Sequence, residues 1–149
     1  MATLTDNKKA HFDYEFLDKY EGGLELFGHE VKSIKAKRAD LSGSHVVIRG
    51  GEAFLVGASV PEYQAHNTPQ DYKKDRTRKI LVTKKELEKL AEQESKRGLT
   101  LIPISLYNKG NIIKISFALA RGKKKYDKRE TIKKRDSDRE IERTLKTQR

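Results

Sequence analysis

Cysteine is absent from the 149 residues, which removes disulfides, thiolate nucleophiles and Cys-ligated zinc together. Long apolar runs are absent too. Runs such as Val46-Val47-Ile48 and Ile112-Ile113 fall far short of the ~20 residues a membrane-spanning helix needs, and no membrane partner is expected. The opening residues, Met1 to Lys9, lack the apolar stretch of a secretory leader, so a reducing, cytoplasmic setting is expected. Histidine is sparse: His11, His29, His45 and His66 show none of the spacing of a metal site, and neither metal nor cofactor is expected. Gly50-Gly51 lacks a Walker lysine and marks a turn, not a phosphate loop. The length fits one compact domain with an appendage and excludes a large multidomain enzyme.

What the chain has in excess is positive charge, with 33 Lys and Arg against 22 Asp and Glu for a formal +11. Residues 121–149 hold 13 Lys and Arg against 6 Asp and Glu, leaving +4 for the first 120. Apolar residues divide the opposite way: 33 of Leu, Ile, Val, Phe and Met precede residue 121, and only Ile132, Ile141 and Leu145 follow. The chain reads as a core-forming body, 1–120, and a basic tail, 121–149. Alone, such a tail buries too little apolar surface to offset its ordering entropy and is expected to be disordered or fraying helix. It has no Pro, and no Gly beyond Gly122, while Glu130 with Lys134 and Glu142 with Lys146 stand at helical spacing, each pair worth ~0.3 kcal/mol. A surface that supplies phosphates would turn it into a helix.

In the body, residues 12–17 alternate apolar with acidic and predict a half-buried strand; Gly22-Gly23 predicts a turn and Leu24–Phe27 a second strand. Phe27, Val31 and Ile34 then recur at i, i+4 and i+7, predicting a short helix after Gly28. His45–Arg49 and Glu52–Val56 flank Gly50-Gly51 as a hairpin. Pro61 and Pro69 bracket a polar loop reaching about Arg78, followed by a strand at Ile80–Val82. Thr83-Lys84-Lys85-Glu86 matches a capping box, Leu87, Leu90 and Ala91 form the stripe of a second helix, and Gly98 stands at its C-terminal cap. Strands over 101–107 and 112–119 complete the body, with Ile113, Ile115, Phe117 and Leu119 on one face. About seven short strands and two short helices, without regular alternation, argue for a mainly β chain folded as a small antiparallel barrel.

Catalytic chemistry finds little support. His29 beside Glu30 is the nearest approach to an acid–base pair, and adjacent residues on a helix point ~100° apart. Nucleic-acid binding has more, because basic clusters lie in or beside loops: Lys32, Lys35, Lys37 and Arg38; Arg76, Arg78 and Lys79; and Arg121 through Arg129. The last places six cations in nine residues against Asp127 alone, which invites a polyanion. Tyr126, between Lys123-Lys124-Lys125 and Lys128-Arg129, has no core to bury it and fits a stacking role; Tyr63, Tyr72 and Tyr107 fit core or rim packing.

Four segments carry a resemblance: Gly28–Lys35 (GHEVKSIK), Asp75–Leu81 (DRTRKIL), Gly98–Pro103 (GLTLIP) and Ala118–Glu130 (ALARGKKKYDKRE). In this order the chain resembles the small protein B family of bacterial tmRNA-binding proteins, from about Asn7 to Lys146. The resemblance implies an oligonucleotide-binding-type (OB-like) barrel with flanking helices, no enzymatic activity, and a role in trans-translation. It implies binding to the tRNA-like domain of tmRNA and delivery with elongation factor Tu to ribosomes stalled without a codon. The tail would enter the decoding centre and empty mRNA channel of the small subunit and fold there as a helix. A monomer is expected.

Carried residue by residue, the resemblance marks Glu30, Val31, Lys32, Ser33 and Lys35 on the first helix, Asn67 in the loop, Arg76, Arg78 and Lys79 before the strand, and Lys123 and Lys124 at the junction as RNA-binding. It assigns Tyr126, Asp127, Lys128, Arg129, Lys133, Lys134, Arg135, Arg139 and Arg143 to the ribosome-facing tail. Lys35 stands where the family usually has Arg, Phe12 where His is commoner, and His66 where Gly is frequent. For Glu30 two roles are open: accepting from a base amino group or ribose hydroxyl, or orienting Lys32 or Lys37. A ribosomal or ribosome-assembly protein would share the charge and the barrel, and a nucleic-acid-processing enzyme would have to use Glu30 and a histidine.

Overall fold

The computed structural model describes residues 2–64 and 70–123. Within them the order is β1 (Ala2–Asp6), α1 (Lys8–Asp13), β2 (Tyr14–Leu24), α2 (Gly28–Lys35), β3 (His45–Arg49), β4 (Glu52–Val56), β5 (Arg78–Leu81), α3 (Lys84–Glu94), β6 (Leu99–Lys109) and β7 (Ile112–Gly122). The strands pair antiparallel, and the ladder closes on itself: β6 meets β3, then β4, β5, β2 and β7 follow, and β7 pairs back onto β6. β1 takes the far end of β6, with Thr3 opposite Tyr107, while β3 touches it at Val46 opposite Leu101. This is the mainly antiparallel, barrel-like fold that the sequence implies. Tyr126 and the other tail residues from Lys124 on, together with Asn67 and His66, lie outside the described residues.

The barrel interior follows from strand parity. On β7, Ile113, Ile115, Phe117 and Leu119 all point inward and are buried, as their alternation predicts. On β6 the phase changes, since both Leu101 and Leu106 are inside; a bulge between Pro103 and Ser105 supplies the extra residue that shifts it, and a bulge is where a strand tolerates proline. The hairpin is as expected, its register running from His45 opposite Val56 to Arg49 opposite Glu52. Gly50 and Gly51 both have positive φ (59° and 73°), the conformation of a primed turn. Thr83 caps α3 by accepting from the Glu86 N–H at 3.2 Å, and Leu90 is fully buried beneath the helix. The helix ends earlier than Gly98 implies, with Ser95 as its C-cap; Gly98 (φ 79°) serves the turn into β6.

Two expectations for the first 24 residues are corrected. Phe12 and Asp13 close a helix, α1, and do not open a strand. Asn7 accepts from the Ala10 N–H (3.2 Å) and donates its side-chain amide to the Pro103 carbonyl (2.8 Å), while Ala10 packs on Ile102 and Ala120. Gly22-Gly23 is no turn either, because β2 runs straight through it. There the strand changes neighbours: Tyr14 through Gly23 pair with β7, while Gly23 and Leu24 pair with Leu81 and Ile80 of β5. A Cβ on Gly22 would stand 2.7 Å from Ile80 Cγ2 and 2.9 Å from Val82 Cγ1, so a side chain is excluded by the approach of β5. Gly22→Val should therefore lower stability by about 1–3 kcal/mol, read as a fall in the urea midpoint with unchanged far-UV circular dichroism of the remaining folded fraction.

Candidate nucleic-acid interface

The basic cluster before β5 divides by strand parity. Arg78 shares the inward phase of Ile80 and is fully buried, whereas Lys79 points out and reaches Glu52 at 2.9 Å. A guanidinium in a core requires a carboxylate, and Glu30 supplies it from α2, where it shares the buried face with Ser33 and Ile34. Arg78 Nε donates to Glu30 Oε2 at 2.7 Å and its Nη2 lies 2.6 Å from the same oxygen. The remaining Arg78 donors bond the carbonyls of Ala58 (3.0 Å), Arg76 (3.0 Å) and Lys74 (2.9 Å). Glu30 also accepts from Arg76 through Nε (3.1 Å) and Nη2, and from the Phe27 N–H (2.8 Å). The Tyr72 hydroxyl stands 2.9 Å from Glu30 Oε2 and 2.7 Å from the Val60 carbonyl. Burial pushes the Glu30 carboxyl up, but the bonds from Arg76 and Phe27 and the charge of Arg78 outweigh it and hold the carboxyl at about 2. The Tyr72 hydroxyl is raised by burial and by its bond to that carboxylate.

The predicted RNA-binding residues are thus sorted by depth. Glu30, Ser33 and Arg78 are inside, and Glu30 faces arginines 46 and 48 residues later in the chain, not Lys32 or Lys37. Val31 is half-buried. Lys32 and Lys35 are exposed along α2, and Arg76 is half-buried with its guanidinium 4.0 Å from the Phe27 ring centroid. Phe27, expected on the helix's apolar stripe, is instead 53% exposed at the N-cap. At the junction, β7 continues past residue 120: Arg121 Nη2 donates to Glu15 Oε2 (2.7 Å), and the Lys123 N–H and Nζ bond the carbonyls of Asp13 (2.8 Å) and His11 (3.0 Å).

Sequence reasoning missed a second surface. A groove of about 550 Å³ lies between β2, β4, β5 and the start of α3, with Lys114 of β7 at its edge; Gly22-Gly23, Leu81 and Val82 line it, and Lys79 and Lys114 stand there among Glu21, Glu52 and Glu86. Leu81 is 52% exposed at its rim. Glu21 lies 3.1 Å from Lys114 and 3.6 Å from Lys109, and a bond from Tyr107 followed by one from Lys114 holds its carboxyl below the usual range. Such exposed pairs are weak in water, so each lysine can exchange its carboxylate for a phosphate, and bare Leu81 beside them offers an apolar face to a base or ribose. The sequence signal was the parity of β5, which puts Leu81 opposite to Ile80, read together with two glycines that strip the neighbouring strand of side chains.

Compared with known proteins, residues 4–147 match the family model described as SmpB protein. The chain belongs to the SmpB family. Among its relatives are SsrA-binding proteins of Gloeothece citriformis, 45% identical over 96% of this chain and 92% of the relative, and of Chelativorans sp., 44% identical over 98% and 94%. The SsrA-binding protein of Chlorobaculum tepidum is 45% identical over 97% of this chain and 92% of its own. A solved structure described as "tmRNA-SmpB: a journey to the center of the bacterial ribosome" superposes with a TM-score of 0.69 and 37% identity, covering 83% of this chain and 87% of that one. The family match extends past Lys123 to residue 147 and so takes in most of the basic tail as well as the barrel.

The Glu30 cluster sets an acid limit on the fold. Its carboxyl titrates at about 2 in the folded chain against 4.5 when free, so the stability it contributes is complete above pH 4.5 and is lost as pH falls toward 2. Glu30→Gln, which leaves Arg78 without a counter-charge, should unfold about 3–5 kcal/mol more easily at neutral pH and lose less on acidification across that window, checked by urea titrations at stepped pH.

Proposed function

We propose that the protein is an RNA-binding adaptor of trans-translation that binds the tRNA-like domain of tmRNA and brings it to stalled ribosomes. The observation that carries this reading is the SmpB family match across body and tail together, since a barrel likeness alone would support many functions. The exposed groove of Leu81, Lys79 and Lys114 is the RNA-facing surface of the body, with Lys32, Lys35 and Arg76 as a second basic region on α2. These contacts read phosphate and shape, giving strongly salt-dependent binding with modest base specificity. Glu30 and Arg78 act as positioning residues, with Ser33 buried beside Glu30: the pair fixes α2 and the segment before β5, and through these the exposed cations. Val31 packs against the core under α2, and Asn67 and Lys124, outside the described residues, are further RNA contacts in this reading.

The tail carries the ribosome-directed part of the task. Tyr126, Asp127, Lys128 and Arg129, followed by Lys133, Lys134, Arg135, Arg139 and Arg143, would enter the decoding centre and empty mRNA channel and form a helix against rRNA phosphates. Elongation factor Tu joins through tmRNA, not through the barrel. The protein works as a cytoplasmic monomer and has no catalytic step of its own. β7 runs to Gly122 and Lys123 bonds the Asp13 carbonyl, so the first residues of the basic segment, expected to begin at 121, are held against the body.

Three measurements test this. In a competition gel shift at physiological salt, the tRNA-like domain of tmRNA should outcompete an ordinary tRNA; equal binding would leave only a basic barrel attracted to phosphate. Leu81→Ala and Lys114→Glu should each weaken that complex roughly tenfold, and the charge change should also flatten the salt dependence. A chain ending at Lys123 should keep its affinity for free tmRNA and fail to support tagging on stalled ribosomes, whereas normal tagging by the truncated chain would remove the tail from the mechanism.

A further inference from the structure

Lys123, the last of the described residues, is held by α1. A helix leaves its final carbonyls without partners of its own, and α1 (Lys8–Asp13) is so short that the shortage covers most of it. The Tyr14 N–H takes the Ala10 carbonyl. Two more carbonyls are taken by one residue from the far end of the chain: the Lys123 N–H bonds that of Asp13 at 2.8 Å, and Lys123 Nζ bonds that of His11 at 3.0 Å. An ammonium suits the carbonyl end of a helix, where the backbone dipoles leave partial negative charge.

α1 is in turn fastened to the barrel. Asn7, buried at the N-cap, bonds the Pro103 carbonyl through its side-chain amide (2.8 Å) and the Ile104 carbonyl through its N–H (2.8 Å), both on β6. Ala10 packs on Ile102 of β6 and Ala120 of β7. The ladder between β2 and β7 runs up to Tyr14 opposite Gly122, beside the bond of Arg121 Nη2 to Glu15 Oε2 at 2.7 Å, so the Lys123–Asp13 bond is one further rung of it. The contacts form a chain of support: β6 holds α1, α1 holds Lys123, and the basic segment continues from there. Of the 13 Lys and Arg in residues 121–149, 11 follow Lys123. Every residue left free between the barrel and that charge would add entropy that is lost when the segment meets its target, and an origin fixed at Lys123 removes it.

We propose that α1 is the mount of the basic tail, with Lys123 as its positioning residue, and that the pair fixes the point from which the tail reaches the ribosome. Lys123 has this role in place of the RNA contact that the resemblance implies for it. The proposal rests on the adaptor reading and deepens it, because the work of the tail then depends on a helix at the opposite end of the chain.

The full-length chain has no cysteine, so Asp13→Cys with Lys123→Cys makes a lone pair at opposing positions just past an antiparallel ladder, where Cα atoms stand about 4.5–5.5 Å apart and a disulfide can close. Lys123→Gln and the reduced double variant should each tag nascent chains on stalled ribosomes about fivefold more slowly than the parent. Their affinity for the tRNA-like domain of tmRNA and their urea midpoints should stay parental. Lys123→Arg should keep the parental rate, and oxidation of the double variant should restore it with no cation at position 123. Parental tagging by Lys123→Gln overturns the proposal, as does a fall in tmRNA affinity as large as the fall in tagging, which would make Lys123 an RNA contact. An oxidised variant that stays slow, or becomes slower, overturns it too, as does a cysteine pair that does not close under oxidant. Each of these leaves the adaptor reading standing, whereas a parent chain that does not bind the tRNA-like domain takes both down.

Discussion

Arg78 and Glu30 meet where water reaches neither side chain, and each is tolerable there only because the other is present. The pair fixes relations that the backbone ladder leaves open. It ties a helix near the start of the chain to the first residue of a strand 48 positions later. Through the Ala58 and Lys74 carbonyls it also fastens both sides of the connection between β4 and β5. Arg76, Tyr72 and the Phe27 N–H complete a cluster in which Glu30 has acceptors for every donor turned toward it. A network of this kind is stabilising only when it is fully satisfied, and here the charges have no slack to move independently.

The surface takes its character from that interior. Because α2 and the segment before β5 are held from below, Lys32 and Lys35 project from a rigid base, and under the proposed function an RNA that meets them need not order it. The glycines of β2 work by omission: with no side chains at Gly22 and Gly23, β2 passes close over β5 and leaves the trough in which Leu81 stands uncovered. The two regions use one logic. Cations ride on elements fixed by buried contacts, and each region places one apolar or aromatic side chain, Leu81 or Phe27, where polyanion attraction alone would not require it.

Much of this was legible in the residues. The hairpin at Gly50-Gly51, the Thr83 cap and the inward face of β7 depend on local rules that tertiary packing did not override. The Gly22-Gly23 turn failed because glycine marks two opposite things, a reversal of the chain or an approach too close for a Cβ, and sequence spacing does not separate them. The helix at Lys8–Asp13 was hidden because its stability comes from Asn7 reaching the Pro103 carbonyl, a partner 96 residues away. Arg78 is the instructive case: three cations in four residues look like a surface patch, yet parity with Ile80 already assigned the middle one to the core, and a buried arginine demands a carboxylate. Glu30, one helical turn from Ile34, was the residue placed to answer that demand. The resemblance named both positions without saying which of them touch solvent.

The ring of strands is uneven in thickness. β6 meets β7 along ten residue pairs, whereas β3 meets β6 at one, Val46 opposite Leu101. A cylinder with a single rung at one seam unrolls there first, so the β3–β4 hairpin is a leaf hinged on β5. Across the seam lies α3, touching both β3 and β6 and fastened to the leaf by Glu94, which accepts from the Ile48 N–H at 2.7 Å and from Arg49 at 3.0 Å. A helix so placed acts as a latch on the seam, and amide hydrogen exchange is expected to be faster in the leaf than between β6 and β7.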